Sequence, residues 1–205
     1  MKPHKLLWAL VAFLTLIGVA IVLRRMFALA SVHGNPGLDE GFAQHRLLTT
    51  LHILPGLVFV LLGPLQFIRR LRQTRPRVHR WTGRIFVVAA LIVGVTALVM
   101  SPQMAIGGAL ETTATSIFGA LFLFCLCNAY RNARRRRFAL HREWMIRTYA
   151  IGLAVTSIRP IVGVFFATQK LTHLTPHDFF GIAFWLGFTI QTATAELYIR
   201  RTRPA

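Results

Sequence analysis

His79-Arg80-Trp81-Thr82-Gly83-Arg84 and His141-Arg142-Glu143-Trp144-Met145-Ile146-Arg147 are two versions of one signal. Each is His-Arg, then a Trp, then another Arg, and each opens a long apolar run. Each also follows a basic stretch, Arg69 to Arg77 before the first and Arg131 to Arg137 before the second. A repeated basic edge followed by an apolar run reads as two similar helical hairpins in series, with His-Arg at matching points.

The apolar runs decide the class. Of 205 residues, 55% are hydrophobic and only 15% are charged, which is low for a water-soluble domain. Several runs reach the roughly 20 residues needed to cross a bilayer. The expectation is an all-α integral membrane protein. A net charge of +18 raises the question of nucleic acid. That partner is rejected, because the arginines gather at the ends of apolar runs. The positive-inside rule and lipid head groups account for them there. The lipid bilayer is therefore the first partner expected.

Six membrane helices are expected in one transmembrane domain, at about 6–23, 46–68, 81–100, 111–130, 144–168 and 179–199. Ala28-Leu29-Ala30 resembles a signal-peptidase site, but Arg24-Arg25 separates it from the first run, so that helix reads as retained. Residues 31–44, with Gly34, Asn35, Pro36 and Gly37, read as a loop, and Arg69 to Arg80 and Arg131 to Arg142 as basic loops. Pro55, Pro64 and Pro160 predict kinks. The second to fifth helices would form a four-helix core from the two hairpins, with the first and sixth on its periphery. An even number of spans puts both termini on one side. With the two basic segments, that side carries 19 of the 24 Lys and Arg, which predicts cytoplasmic termini. Cys125 and Cys127 are two apart on a helix, so they point to different sides and form no disulfide.

The chemistry would come from polar groups at membrane depth. Arg159 lies 15 positions past Trp144, roughly 22 Å along the helix. His52 and Glu111 fall near the same level, with Thr112, Thr113 and Ser157. An arginine at such depth needs a partner or water. A structural Arg159–Glu111 or Arg159–His52 pair is one reading. A pocket for a ligand, a quinone head group or a proton path is the other. A second layer would contain His79, His141, Glu196, Gln66 and Asn128. His79 and His141, on different helices at matching points, are candidate axial ligands of a b-type haem, since membrane cytochromes hold haem iron between paired imidazoles. Against two haems, the fourth helix has no histidine. An interfacial or hydrogen-bonding role is the plainer reading of both. His173 and His177 have helical metal spacing but sit in an expected loop, so no metal site is assigned. No hydrolase or nucleotide-binding motif is present, and no catalytic residue is assigned.

These residues carry a resemblance. They are His52, Gly63-Pro64-Leu65-Gln66-Phe67, His79-Arg80 with Gly83-Arg84-Ile85, His141-Arg142 with Trp144-Met145-Ile146-Arg147 and Tyr149, Ala154-Val155-Thr156 with Arg159, and Trp185 with Glu196. From about His45 to Arg200 the chain resembles the bacterial six-helix membrane proteins catalogued as a domain of unknown function and often named predicted membrane protein. That family usually has an Asn shortly before the final Glu, where this chain has Gln191, Thr192 and Thr194. The resemblance implies fold and location, a multi-pass protein of the bacterial inner membrane, and no activity. Three functions remain. One is a redox protein resembling small b-type cytochromes. Another is a transporter or binder of an anionic or lipid-like ligand, which at this size would act as a homo-oligomer. The last is an assembly protein whose polar residues only hold helices together.

Overall fold

The computed structural model describes residues 3–30 and 40–203. Every regular element among them is helical: α1 (Pro3–Ala30), α2 (Glu40–Gln44), α3 (Arg46–Phe67), α4 (Arg69–Thr74), α5 (Pro76–Met104), α6 (Gly108–Arg134), α7 (Phe138–Thr172) and α8 (Pro176–Thr202). Five of them, α1, α3, α5, α6 and α7, are long and apolar enough to cross a membrane. The sixth expected span corresponds to α8, 27 residues long. Gln191, Thr192, Thr194 and Glu196 dilute its apolar character.

The helices run further than the hydropathy pattern suggests. α1 continues through Arg24-Arg25 to Ala30, and α7 reaches 35 residues. The expected basic loop after α3 is instead helical. Arg69–Thr74 forms α4, Arg75 breaks the axis with φ −132° and ψ 64°, and α5 starts at Pro76. Proline suits a first helical turn because its missing N–H would be unsatisfied there anyway. Pro55, Pro64 and Pro160 lie inside α3 and α7, and Pro102 lies inside α5. The second basic loop shrinks to a tight turn. Arg136 adopts the left-handed region with φ 58°. Its N–H donates to the Ala133 carbonyl at 3.1 Å, and the Arg137 N–H donates to the Asn132 carbonyl at 2.9 Å. This is a Schellman closure of α6, built on an arginine where glycine is usual, so no turn residue announces it. α8 opens with a capping box. The Thr175 side chain accepts from the Asp178 N–H, and the Thr175 N–H and hydroxyl donate to Asp178 Oδ2, at 2.8 and 2.6 Å.

The chain divides into two compact units, the first ending at Val93 and the second starting at Gly94. In the N-terminal unit, α1 packs on α3. Arg46 donates from its guanidinium to the Leu29 carbonyl, one of the last-turn acceptors of α1 that the helix itself leaves open. Phe59 and Phe86 stack at 4.8 Å between α3 and α5. In the C-terminal unit, α6, α7 and α8 pack against one another. Its core holds Phe118, Phe122, Leu126, Ile151, Ala154, Ile158 and Phe188. Small residues allow close approach there. A Cβ on Gly187 would come within 2.4 Å of Ile158 Cγ1.

Candidate functional site

The first His-Arg segment interlocks with the Gly63–Phe67 segment inside the N-terminal unit. Gln66, buried near the end of α3, donates from Nε2 to the Thr82 hydroxyl at 3.0 Å. That hydroxyl in turn donates to the carbonyls of Val78 and His79, at 2.9 and 3.2 Å. Gly83 leaves room for the amide, since a Cβ there would sit 3.1 Å from Gln66 Oε1. Thr82 and Gly83 therefore act as the receiving surface for Gln66. Higher on α3, His52 hydrogen-bonds the Val93 backbone, tying α3 to α5.

The second segment ties three helices of the C-terminal unit together. His141 donates from Nδ1 to the Ala129 carbonyl of α6 at 2.8 Å. Trp144 meets the Phe124 ring edge-on at 5.6 Å. Toward α8, Arg142 donates to the Thr202 hydroxyl at 3.0 Å. Arg147 forms a two-pronged pair with Glu196, Nε to Oε1 at 2.5 Å and an Nη to Oε2 at 3.0 Å. Glu143, buried, accepts a second two-pronged pair from Arg203 at 2.9 and 2.7 Å. An Arg147 Nη stands 3.8 Å from Glu143 Oε2, so the four charges form one chain. Such forked pairs are the strongest protein hydrogen bonds and are specific in geometry. Glu143 raises the Arg203 guanidinium above its ordinary value through these bonds.

Twelve positions along α7 separate Arg147 from Arg159, or roughly 18 Å. Here lies the other polar layer of this unit. Glu111, buried in the first turn of α6, accepts from the Gly107 N–H at 2.7 Å. It lies within electrostatic reach of Arg159. Next to Arg159 in sequence, the Ser157 hydroxyl accepts from Gln191 Nε2 of α8 at 2.5 Å. The buried Thr192 hydroxyl has no hydrogen-bond partner among the described residues. Trp185 donates from its indole to the Leu110 carbonyl at 3.2 Å. Along α7 the two layers are separated by the buried Ile151 and Ala154.

The candidate residues therefore fall into three groups. Gln66, His52 and His79 belong to the N-terminal unit. His141 and Glu196 belong to the ionic end of the C-terminal unit, and Arg159 and Glu111 to its other layer. Asn128 bonds its own helix, donating to the Phe124 carbonyl at 2.9 Å. His173 is the left-handed residue ending α7, and the His177 ring lies over Gly108. Among the described residues no three His, Cys, Asp or Glu side chains gather as metal ligands would. Glu143, Arg203 and the Ser157–Gln191 bond carry as much of the geometry as the residues singled out in the sequence. Glu143 had a signal of its own, as the only acidic residue in either basic segment.

No curated protein and no solved structure matches the chain. A family model does match, over residues 49–199, which takes in both His-Arg segments, Arg159 and Glu196. The chain thus belongs to the family described as predicted membrane protein (DUF2306).

Proposed function

We propose that this is a six-span membrane protein, α8 being the sixth span, whose C-terminal unit binds a small anionic ligand at the layer around Arg159. The observation that carries the reading is the company Arg159 keeps at membrane depth. α7 is apolar around it, with Ile158 fully buried and Val162 buried. A guanidinium held there is costly and marks a functional site by default. The Glu111 carboxylate, which also accepts a backbone N–H, lies within electrostatic reach of it. Ser157, two residues before Arg159, and Gln191, bonded to Ser157 from α8, add neutral donors and acceptors. A carboxylate or phosphate oxygen is the natural partner for a planar guanidinium fork.

Binding of labelled short-chain carboxylates and of inorganic phosphate, measured on the purified protein in detergent, tests this. We expect saturable binding of at least one of them in the wild type. We expect Arg159→Lys to weaken it at least about tenfold, since an ammonium lacks the fork. Saturable binding that Arg159→Gln leaves unchanged would reduce Arg159 to a packing residue. So would the absence of binding together with a lower melting temperature in that variant.

A second reading rests on His141. Because Nδ1 donates to the Ala129 carbonyl, the neutral ring carries its lone pair on Nε2, the form in which histidine ligates iron. In that reading His141 supplies one axial ligand of a single b-type haem. An absorption spectrum before and after dithionite decides. A Soret band with sharp reduced bands, lost in His141→Ala, supports the haem. A colourless protein expressed with ample haem sinks it.

A further inference from the structure

We infer that the junction of α4 and α5 is a binding site for an anionic phospholipid, with Arg77, Arg80 and Arg84 holding the head-group phosphate. This site lies in the N-terminal unit and does not depend on the reading of Arg159. Residues 69–84 carry seven arginines, all exposed. No acidic residue occurs between Glu40 and Glu111, so this segment supplies no carboxylate of its own to neutralise them. The contrast with the C-terminal unit is direct. There, Arg147 and Arg203 each hold a carboxylate in a two-pronged pair.

Spacing sorts the residues of α5 into two adjacent stripes. Arg77, Arg80 and Arg84 are three and four apart, so they share one side of the helix. Val78, Trp81, Ile85 and Val88 form the next stripe, at 42, 63, 50 and 58% exposure. Trp81 lies where the stripes meet, and the Arg84 guanidinium sits over its ring at 4.9 Å. Cations beside an exposed apolar stripe, with an indole at the boundary, match a ligand with a phosphate at one end and acyl chains at the other. A soluble polyanion would use the arginines and leave the apolar stripe idle. Arg69, Arg70, Arg72 and Arg75, on α4 and at the bend, add charge around the same point. That surplus favours a head group with two phosphates.

The full-length protein, stripped of lipid in detergent, is mixed with equal amounts of phosphatidylethanolamine, phosphatidylglycerol and cardiolipin. Retained lipid is then read by native mass spectrometry. We expect cardiolipin to be retained over phosphatidylethanolamine. We expect Arg77→Gln/Arg80→Gln/Arg84→Gln to lower that retention roughly hundredfold, from about fivefold per arginine near a charged surface. The matched triple change at Arg134, Arg135 and Arg137, which are not on the α5 stripes, should lower it by no more than about threefold. Equal losses in the two triple variants would overturn the site in favour of diffuse charge. A test on the unaltered protein stands beside these. A water-soluble deacylated cardiolipin head group should compete poorly, and displacement at equal concentration would show a soluble polyanion site instead. Indifference to lipid class in the wild type would also overturn the proposal.

Discussion

Gly107→Ala is expected to destabilise the C-terminal unit by about 3 kcal/mol, the upper end of what overpacking costs. A Cβ at this position would stand 2.4 Å from the Gly181 backbone nitrogen and 3.1 Å from the Phe180 carbonyl carbon. Those are backbone atoms of α8, so no side chain can rotate aside. Relief requires α6 and α8 to part beside the Gly107 N–H, which donates to Glu111 Oε2. Unfolding in mild detergent, by heat or by added denaturing detergent, reads the loss. Gly163→Ala is the control. Nothing lies within 4 Å of a Cβ there, and Gly163 is inside α7. That change should be neutral or stabilise by up to about 1 kcal/mol, the helix propensity gap between the two residues. Equal effects at the two glycines would mean that α6 and α8 do not touch at Gly107.

Arg147→Ala is expected to cost about 2 kcal/mol, the scale of a charge-assisted hydrogen bond lost from a partly covered site. It removes both prongs to Glu196 and leaves Glu143 facing one cation fewer. Glu196 is 37% exposed as a side chain, so water recovers part of the loss, and a fully buried pair would cost more. Glu196→Gln keeps the shape of the acceptor and should cost less than Arg147→Ala. The double variant Arg147→Ala/Glu196→Ala separates the pair from its surroundings. A coupling near zero in that cycle would show that the fork contributes nothing to holding α7 on α8. A clear positive coupling, with binding at the Arg159 layer unchanged, would mark this end of the unit as structural.

That last distinction bears on the paired His-Arg segments. They look alike in sequence, yet they do different work. The first receives Gln66 through Thr82 and Gly83 and leaves its arginines exposed. The second uses His141, Arg142, Glu143 and Arg147 to join α7 to α6 and α8. The difference arises from acidic partners. Glu143 and Glu196 lie within reach of the second set, whereas the first has no carboxylate for some thirty residues on either side.

The sequence alone was enough for the helical class and for the place of most helices. Hydrophobic run length and the interruption of those runs by arginine are one-dimensional properties, and a bilayer makes length decisive. Motif residues and their order sufficed for the family. Helix ends were not legible. Hydropathy stops where the apolar run stops, but a helix goes on until its hydrogen bonds find another answer. α1 therefore passes through Arg24-Arg25, and α4 occupies what looks like a loop. The Arg136 turn had no glycine to betray it. The partners of the polar groups were decided by tertiary structure alone. Glu143 and Arg203 are 60 positions apart, and Ser157 and Gln191 are 34 apart. Only antiparallel packing of α7 on α8 sets their register, and that register depends on contacts such as Gly187 against Ile158, which no spacing rule along one helix contains.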